Sequence, residues 1–77
     1  MIAMCTKNGK MVRLSANYDF EKETASYEVT YEVTHLYFGD FKHAVILYKS
    51  LCKEVEMGCD MDKRMKTLVE MYGKEVA

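Results

Sequence analysis

The sequence SYEVTYEVTHLYFGDFKHAVILYKSLC, residues 26–52, contains the change of apolar rhythm that decides the fold. Before Gly39, tyrosine and valine alternate with glutamate and threonine, which is typical of a half-buried strand. After Asp40, apolar residues recur every three or four positions, as they do along an amphipathic helix. We therefore expect a strand over residues 26–37, followed by a helix that Asp40 caps.

The alternation assigns this strand a buried face and a solvated face. The buried side is expected to carry Tyr27, Val29, Tyr31, Val33, His35 and Tyr37. The solvated side is expected to carry Glu28, Thr30, Glu32 and Thr34, with Leu36 and Phe38 exposed near its end.

The N-terminal segment predicts a β-hairpin around Asn8 and Gly9. These two residue types supply the positive φ values that a type I′ turn requires. A two-residue turn places Thr6 opposite Met11, and the resulting register gathers an apolar face of Ala3, Cys5, Val12, Leu14 and Ala16. A polar loop from Asp19 to Ala25 would then connect this hairpin to the next strand.

A second helix is expected after Gly58, with Asp60 as its N-cap and Gly73 at its end. Strands followed by helices indicate an α+β fold. The expected architecture is a three-stranded antiparallel meander followed by two antiparallel helices packed on one sheet face. With 77 residues, the chain is expected to form a single domain over residues 1–77.

The composition suits a soluble protein, because 49% of the residues are hydrophobic, 30% are charged and no apolar run is long enough to span a bilayer. No secretory signal is visible at the N-terminus. The three cysteines, Cys5, Cys52 and Cys59, are odd in number and show no paired spacing. We therefore expect buried free thiols and a cytoplasmic location, without membrane association.

No arrangement of residues predicts catalysis. The cysteine and histidine pairs lie seven and eight positions apart, whereas zinc sites use spacings of about two to four. The chain contains no glycine-rich phosphate loop and no nucleophile elbow. We therefore predict no catalytic residues, no metal, no cofactor and no enzymatic activity, and a thiol- or metal-dependent enzyme is the least favoured hypothesis.

The charge distribution favours protein binding. Residues 19–40 contain six acids and one lysine, although the net charge of the chain is only −1. Such an acidic stretch can steer toward a basic partner surface. The expected steering residues are Glu21, Glu23, Glu28 and Glu32, and the expected anchors are Phe20 and Phe38. A homodimer through the same edge is equally allowed, and the acidic face could instead serve only solubility.

Nucleic-acid binding is the alternative hypothesis. It would use basic residues on the two helices, namely Lys42, Lys49, Lys53, Lys63, Arg64 and Lys66. The acids among them and a pI of about 6.1 make it the less favoured interpretation.

In size, acidity and lack of a catalytic motif, the chain resembles the small proteins that phages and mobile elements encode. Some of those proteins inhibit host defence enzymes such as CRISPR nucleases. The resemblance is one of general character and involves no matched residues. It implies an inhibitor that acts by occupying a host protein's surface.

Overall fold

The computed structural model describes residues 1–74 and contains four strands followed by two helices. The strands form one antiparallel sheet in the order β1-β2-β3-β4. The α+β class is confirmed, but the predicted number of three strands is wrong. The strands are β1 (Ala3–Lys7), β2 (Lys10–Asp19), β3 (Thr24–Tyr31) and β4 (Thr34–Phe38), and the helices are α1 (Phe41–Glu56) and α2 (Met61–Tyr72).

The first hairpin forms as the sequence predicts. Asn8 and Gly9 adopt φ values of 50° and 77°, and Thr6 pairs with Met11 across the turn. The Asn8 side chain has a second role, because its Nδ2 donates to the carbonyl oxygens of Val55 at 2.9 Å and Glu56 at 3.3 Å. The turn therefore also satisfies carbonyl groups at the end of α1.

The fourth strand arises from a turn at Glu32 and Val33, inside the segment predicted as one strand. Glu32 adopts a φ of 53°, and Tyr31 pairs with Thr34 across the turn. Partners across a two-residue turn share a sheet face, so the alternation shifts by one position after the turn.

This shift corrects the predicted faces of residues 33–38. Leu36 and Phe38 were expected to be exposed, but they are buried, with Phe38 only 4% exposed. Val33 was expected in the core, but it lies at the turn and is 88% exposed. His35 moves to the face opposite Leu36 and is exposed.

The connection between β2 and β3 is shorter than the predicted loop. Asp19 still belongs to β2, and Thr24 and Ala25 belong to β3, which leaves a four-residue turn over residues 20–23. The Asp19 carboxylate shapes this turn by accepting hydrogen bonds from the backbone N–H of Glu21 at 3.0 Å and of Lys22 at 3.2 Å.

Both helices pack on one face of the sheet, as predicted. Two contacts show that they run in opposite directions: Arg64 binds Glu54 near one end, and Tyr72 lies beside His43 near the other. Asp40 and Asp60 cap the two helices as expected. The core contains Val12, Leu14, Val29, Leu36 and Phe38 from the sheet, Ala44, Leu47, Leu51 and Val55 from α1, and Met61, Met65 and Leu68 from α2.

The cysteines differ from the prediction of three buried free thiols. Cys5 of β1 and Cys52 of α1 form a disulfide bond, with their Cα atoms 6.6 Å apart. Cys59 is free but exposed. The pairing follows from tertiary structure, because the half-buried Cys5 lies on the sheet face that α1 covers. The disulfide removes one support for the cytoplasmic location, which stays a prediction.

Over residues 1–74, neither helix combines the length and the apolar character that crossing a bilayer requires.

Candidate protein-binding surfaces

The end of the β2–β3 hairpin extends beyond the rest of the sheet. β1 pairs with β2 only as far as Leu14, and β4 pairs with β3 only as far as Tyr27. Every residue from 16 to 25 is exposed, so neither face of this segment contributes to the core. We call residues 16–25 the hairpin arm. Its two strands bind each other, and their outer edges extend past the neighbouring strands.

The tip of the hairpin arm combines aromatic rings with acidic side chains. Phe20 is 83% exposed and contacts Tyr18, itself 52% exposed, with ring centroids 4.8 Å apart in an edge-on arrangement. Glu21 and Glu23 are exposed in the same turn. Three of the predicted partner-binding residues, Phe20, Glu21 and Glu23, therefore lie together at the tip.

Glu28 lies apart from this tip, on the sheet face opposite the helices. Its Oε2 accepts a hydrogen bond from Thr30 Oγ1 at 2.9 Å and lies 2.6 Å from His35 Nδ1. Partial burial raises the pKa of the Glu28 carboxyl, but the hydrogen bonds from His35 and Thr30 and the charges of His35 and Arg13 outweigh it. The pKa of Glu28 is therefore lowered. This carboxylate is engaged within the sheet, which leaves it less available to steer a partner.

The other two predicted partner-binding residues also lie away from the tip. Glu32 occupies the β3–β4 turn, where its Oε1 is 3.9 Å from Lys10 Nζ. Phe38 packs in the core against His43 and Tyr72, so it cannot serve as the exposed anchor that the sequence predicted. Glu28, Glu32 and Phe38 therefore lie apart from the tip.

The six basic residues of the nucleic-acid hypothesis do not form one surface. Arg64 is half-buried, and its Nε donates to Glu54 Oε1 at 3.1 Å. Helical spacing places Lys63 and Lys66 on the side of α2 away from α1. The remaining three, which share one exposed side of α1, are Lys42, Lys49 and Lys53.

A groove of about 240 Å³ lies between the two helices. Its apolar floor is formed by Phe38, Leu47 and Leu68. Ile46 of α1 and Met71 of α2 border it and are 55% and 63% exposed. We call this feature the interhelical groove.

A second cavity of about 330 Å³ lies beside the α1–α2 connection. Cys59 lines it together with Lys10, Tyr31 and Asp60. In the part of the chain that the structure describes, no three His, Cys, Asp or Glu side chains gather in an arrangement that could hold a metal ion.

Sequence reasoning did not find two parts of these surfaces. Tyr18 was assigned no role, although its position two residues before Phe20 on one strand was a usable signal. The interhelical groove depends on how the two helices meet, and no local sequence signal indicates it.

No protein-family model, curated protein or solved structure matches this chain.

Proposed function

We propose that the protein is a non-catalytic protein-binding module whose hairpin arm docks onto a basic surface of a partner protein. The observation that supports this best is the exposure of the arm, which ends in Phe20 at 83% exposure. Burying an aromatic ring in a partner's pocket is favourable because it removes a large apolar surface from water. A monomer gains nothing from holding that ring in solvent.

The chemistry of the tip matches that of an interface centre. Phe20 and Tyr18 would act as the anchors, since aromatic side chains carry much of the energy at such centres. Glu21 and Glu23 would form the charged rim that accelerates association with a basic surface. The strand edges of the hairpin arm offer further backbone hydrogen bonds to a partner.

A basic surface that normally holds nucleic acid would suit such a tip, because the carboxylates would take the place of phosphate groups. Occupying that surface would block the partner's own ligand. The proposal therefore includes inhibition of a host protein, as by the small proteins of phages and mobile elements. Nucleic-acid binding by the chain itself has less support, because the basic residues are divided between separate surfaces and Arg64 is engaged by Glu54.

The test is affinity capture from cells that naturally make the protein, comparing the wild type with Phe20→Ala and with Glu21→Lys/Glu23→Lys. Val33→Ala is the matched control, because Val33 is 88% exposed at a different hairpin turn. We expect Phe20→Ala to weaken partner binding tenfold or more, the order of loss on truncating an interface anchor. The charge-reversed variant should associate more slowly and with less dependence on salt. Equal capture by the wild type and Phe20→Ala would refute the proposal.

A further inference from the structure

Two surfaces of this chain complement each other in shape and charge. One is the tip of the hairpin arm and the other is the interhelical groove. We infer that two copies of the chain associate by exchanging arms, so that Phe20 of each copy enters the interhelical groove of the other. This inference does not depend on the proposed function.

The apolar fit is the first argument. The interhelical groove measures about 240 Å³, and a cavity of about 150 Å³ already accommodates benzene, so the ring of Phe20 can enter it. Ile46 and Met71 stand exposed on either side of the floor and would close over the ring. Exposed apolar residues that border an apolar floor are typical of a surface that binds another protein.

Charge is the second argument. Lys42, Lys49 and Lys53 follow the exposed side of α1 in line with Ile46, at helical steps of seven and four residues. We call these three residues the lysine line; it lies beside Ile46 on the outer side of α1, next to the groove lining and not within it. The tip that would approach them contains three acids, Asp19, Glu21 and Glu23, and one lysine. Opposite charges across such an interface steer the encounter and select its orientation.

The placement of the two surfaces also permits a closed dimer. The hairpin arm leaves the sheet beside the start of α1, where the rings of Tyr27 and Phe41 lie 5.2 Å apart. The interhelical groove ends at His43 and Tyr72, close to the same end of α1. A twofold axis at that end lets each arm reach the other copy's groove, so the contact is reciprocal and does not propagate into a filament. The arm, with about five residues per strand, spans roughly 16 Å, enough to cross to a neighbouring copy.

Arm exchange would mask the same tip that the proposed function exposes. Partner binding would then require the monomer, and the dimer would be a resting form. Dimerisation is measured on the purified protein alone, so its failure can be separated from a failure of partner capture.

The test is analytical ultracentrifugation of purified protein from micromolar to millimolar concentration, at low and high salt. The wild type should form a dimer that weakens as salt is added. Glu21→Lys/Glu23→Lys, which reverses the charge of the tip, and Lys42→Glu/Lys49→Glu, which reverses the lysine line beside the interhelical groove, should each be monomeric. An equimolar mixture of the two should dimerise again, because each arm then faces a groove of opposite charge. Glu56→Lys/Glu70→Lys makes the same charge change as the tip variant at exposed helix positions that belong neither to the groove lining nor to the lysine line, and it should dimerise like the wild type.

Three results would overturn the inference: a wild type that stays monomeric throughout, a mixture that fails to recover the dimer, or a dimer that both reversed variants retain. Far-UV circular dichroism of each variant establishes that it is folded.

A gel-shift series with single- and double-stranded probes identifies the alternative in which the lysine line binds nucleic acid. Loss of probe binding in Lys42→Glu/Lys49→Glu without any wild-type dimer would favour that alternative.

Discussion

Among single residues, Glu28 has the most specific electrostatic environment. It was expected to lie on a solvated strand face, but it contacts Thr30 and His35 on the sheet. The pKa of Glu28 is lowered in the folded protein, so its ionised form favours folding. Its contribution to stability is present above the unfolded-state pKa and is lost as the pH falls through the lower folded-state pKa.

Glu28→Gln should therefore lower the free energy of unfolding by about 1 kcal/mol at neutral pH, because it removes hydrogen bonds to a charged group. The difference from the wild type should shrink as the pH falls through the lowered pKa of Glu28, where the wild-type carboxylate also becomes protonated. Urea unfolding of both proteins from neutral to acid pH measures this difference in the free energy of unfolding. Glu21→Gln, at an exposed turn position, is the control and should match the wild type. A difference that stays constant from neutral to acid pH would contradict this account.

At the scale of elements, the hairpin arm should contribute little to stability, because residues 16–25 bury nothing in the core. Asn17 and Ser26 are cross-strand partners, so an Asn-Gly turn between them can replace residues 18–25. The free energy of unfolding of this shortened variant should lie within about 1 kcal/mol of the wild-type value. Thermal and urea unfolding measure this stability. The same variant should neither form the dimer nor capture the partner. A variant that does not fold would show that the arm supports the sheet.

The elements also show which parts of the fold local sequence could specify. Asn8 and Gly9 determine the first hairpin through their own backbone preferences, so its turn and register were predictable. The turn at Glu32 and Val33 contains neither glycine nor asparagine, and alternation continues through it. The available signal was the later shift of apolar residues to even positions, at Leu36 and Phe38.

The residues of the candidate site likewise include some that local sequence could place and some that it could not. Phe20, Glu21 and Glu23 lie in one local turn, so sequence could bring them together. Phe38 was placed wrongly, because its face depends on the missed β3–β4 turn. The interhelical groove and the Cys5–Cys52 bond join residues far apart in the chain, and no local pattern specifies such contacts.

At the scale of the whole molecule, the disulfide compensates for the small core that 77 residues can build. It connects the edge strand β1 to α1 across 47 positions of sequence. Because β1 lies at one edge of the sheet and β2 is its one neighbouring strand, this bond fastens an edge strand to the helix that covers it. A cross-link of this span stabilises mainly by restricting the unfolded chain, by about 4 kcal/mol in the loop-closure estimate.

Cys5→Ser/Cys52→Ser should therefore be less stable by about 4 kcal/mol, a large share of the roughly 5–15 kcal/mol typical of a domain. A reducing agent should destabilise the wild type and Cys59→Ser to a similar extent, because Cys59 takes no part in the bond. The double variant should be insensitive to the same agent. Urea unfolding with and without reductant measures all three proteins. Thiol titration in denaturant supplies an independent check: the wild type should show one reactive thiol before reduction and three after it, and three before reduction would refute the pairing of Cys5 with Cys52.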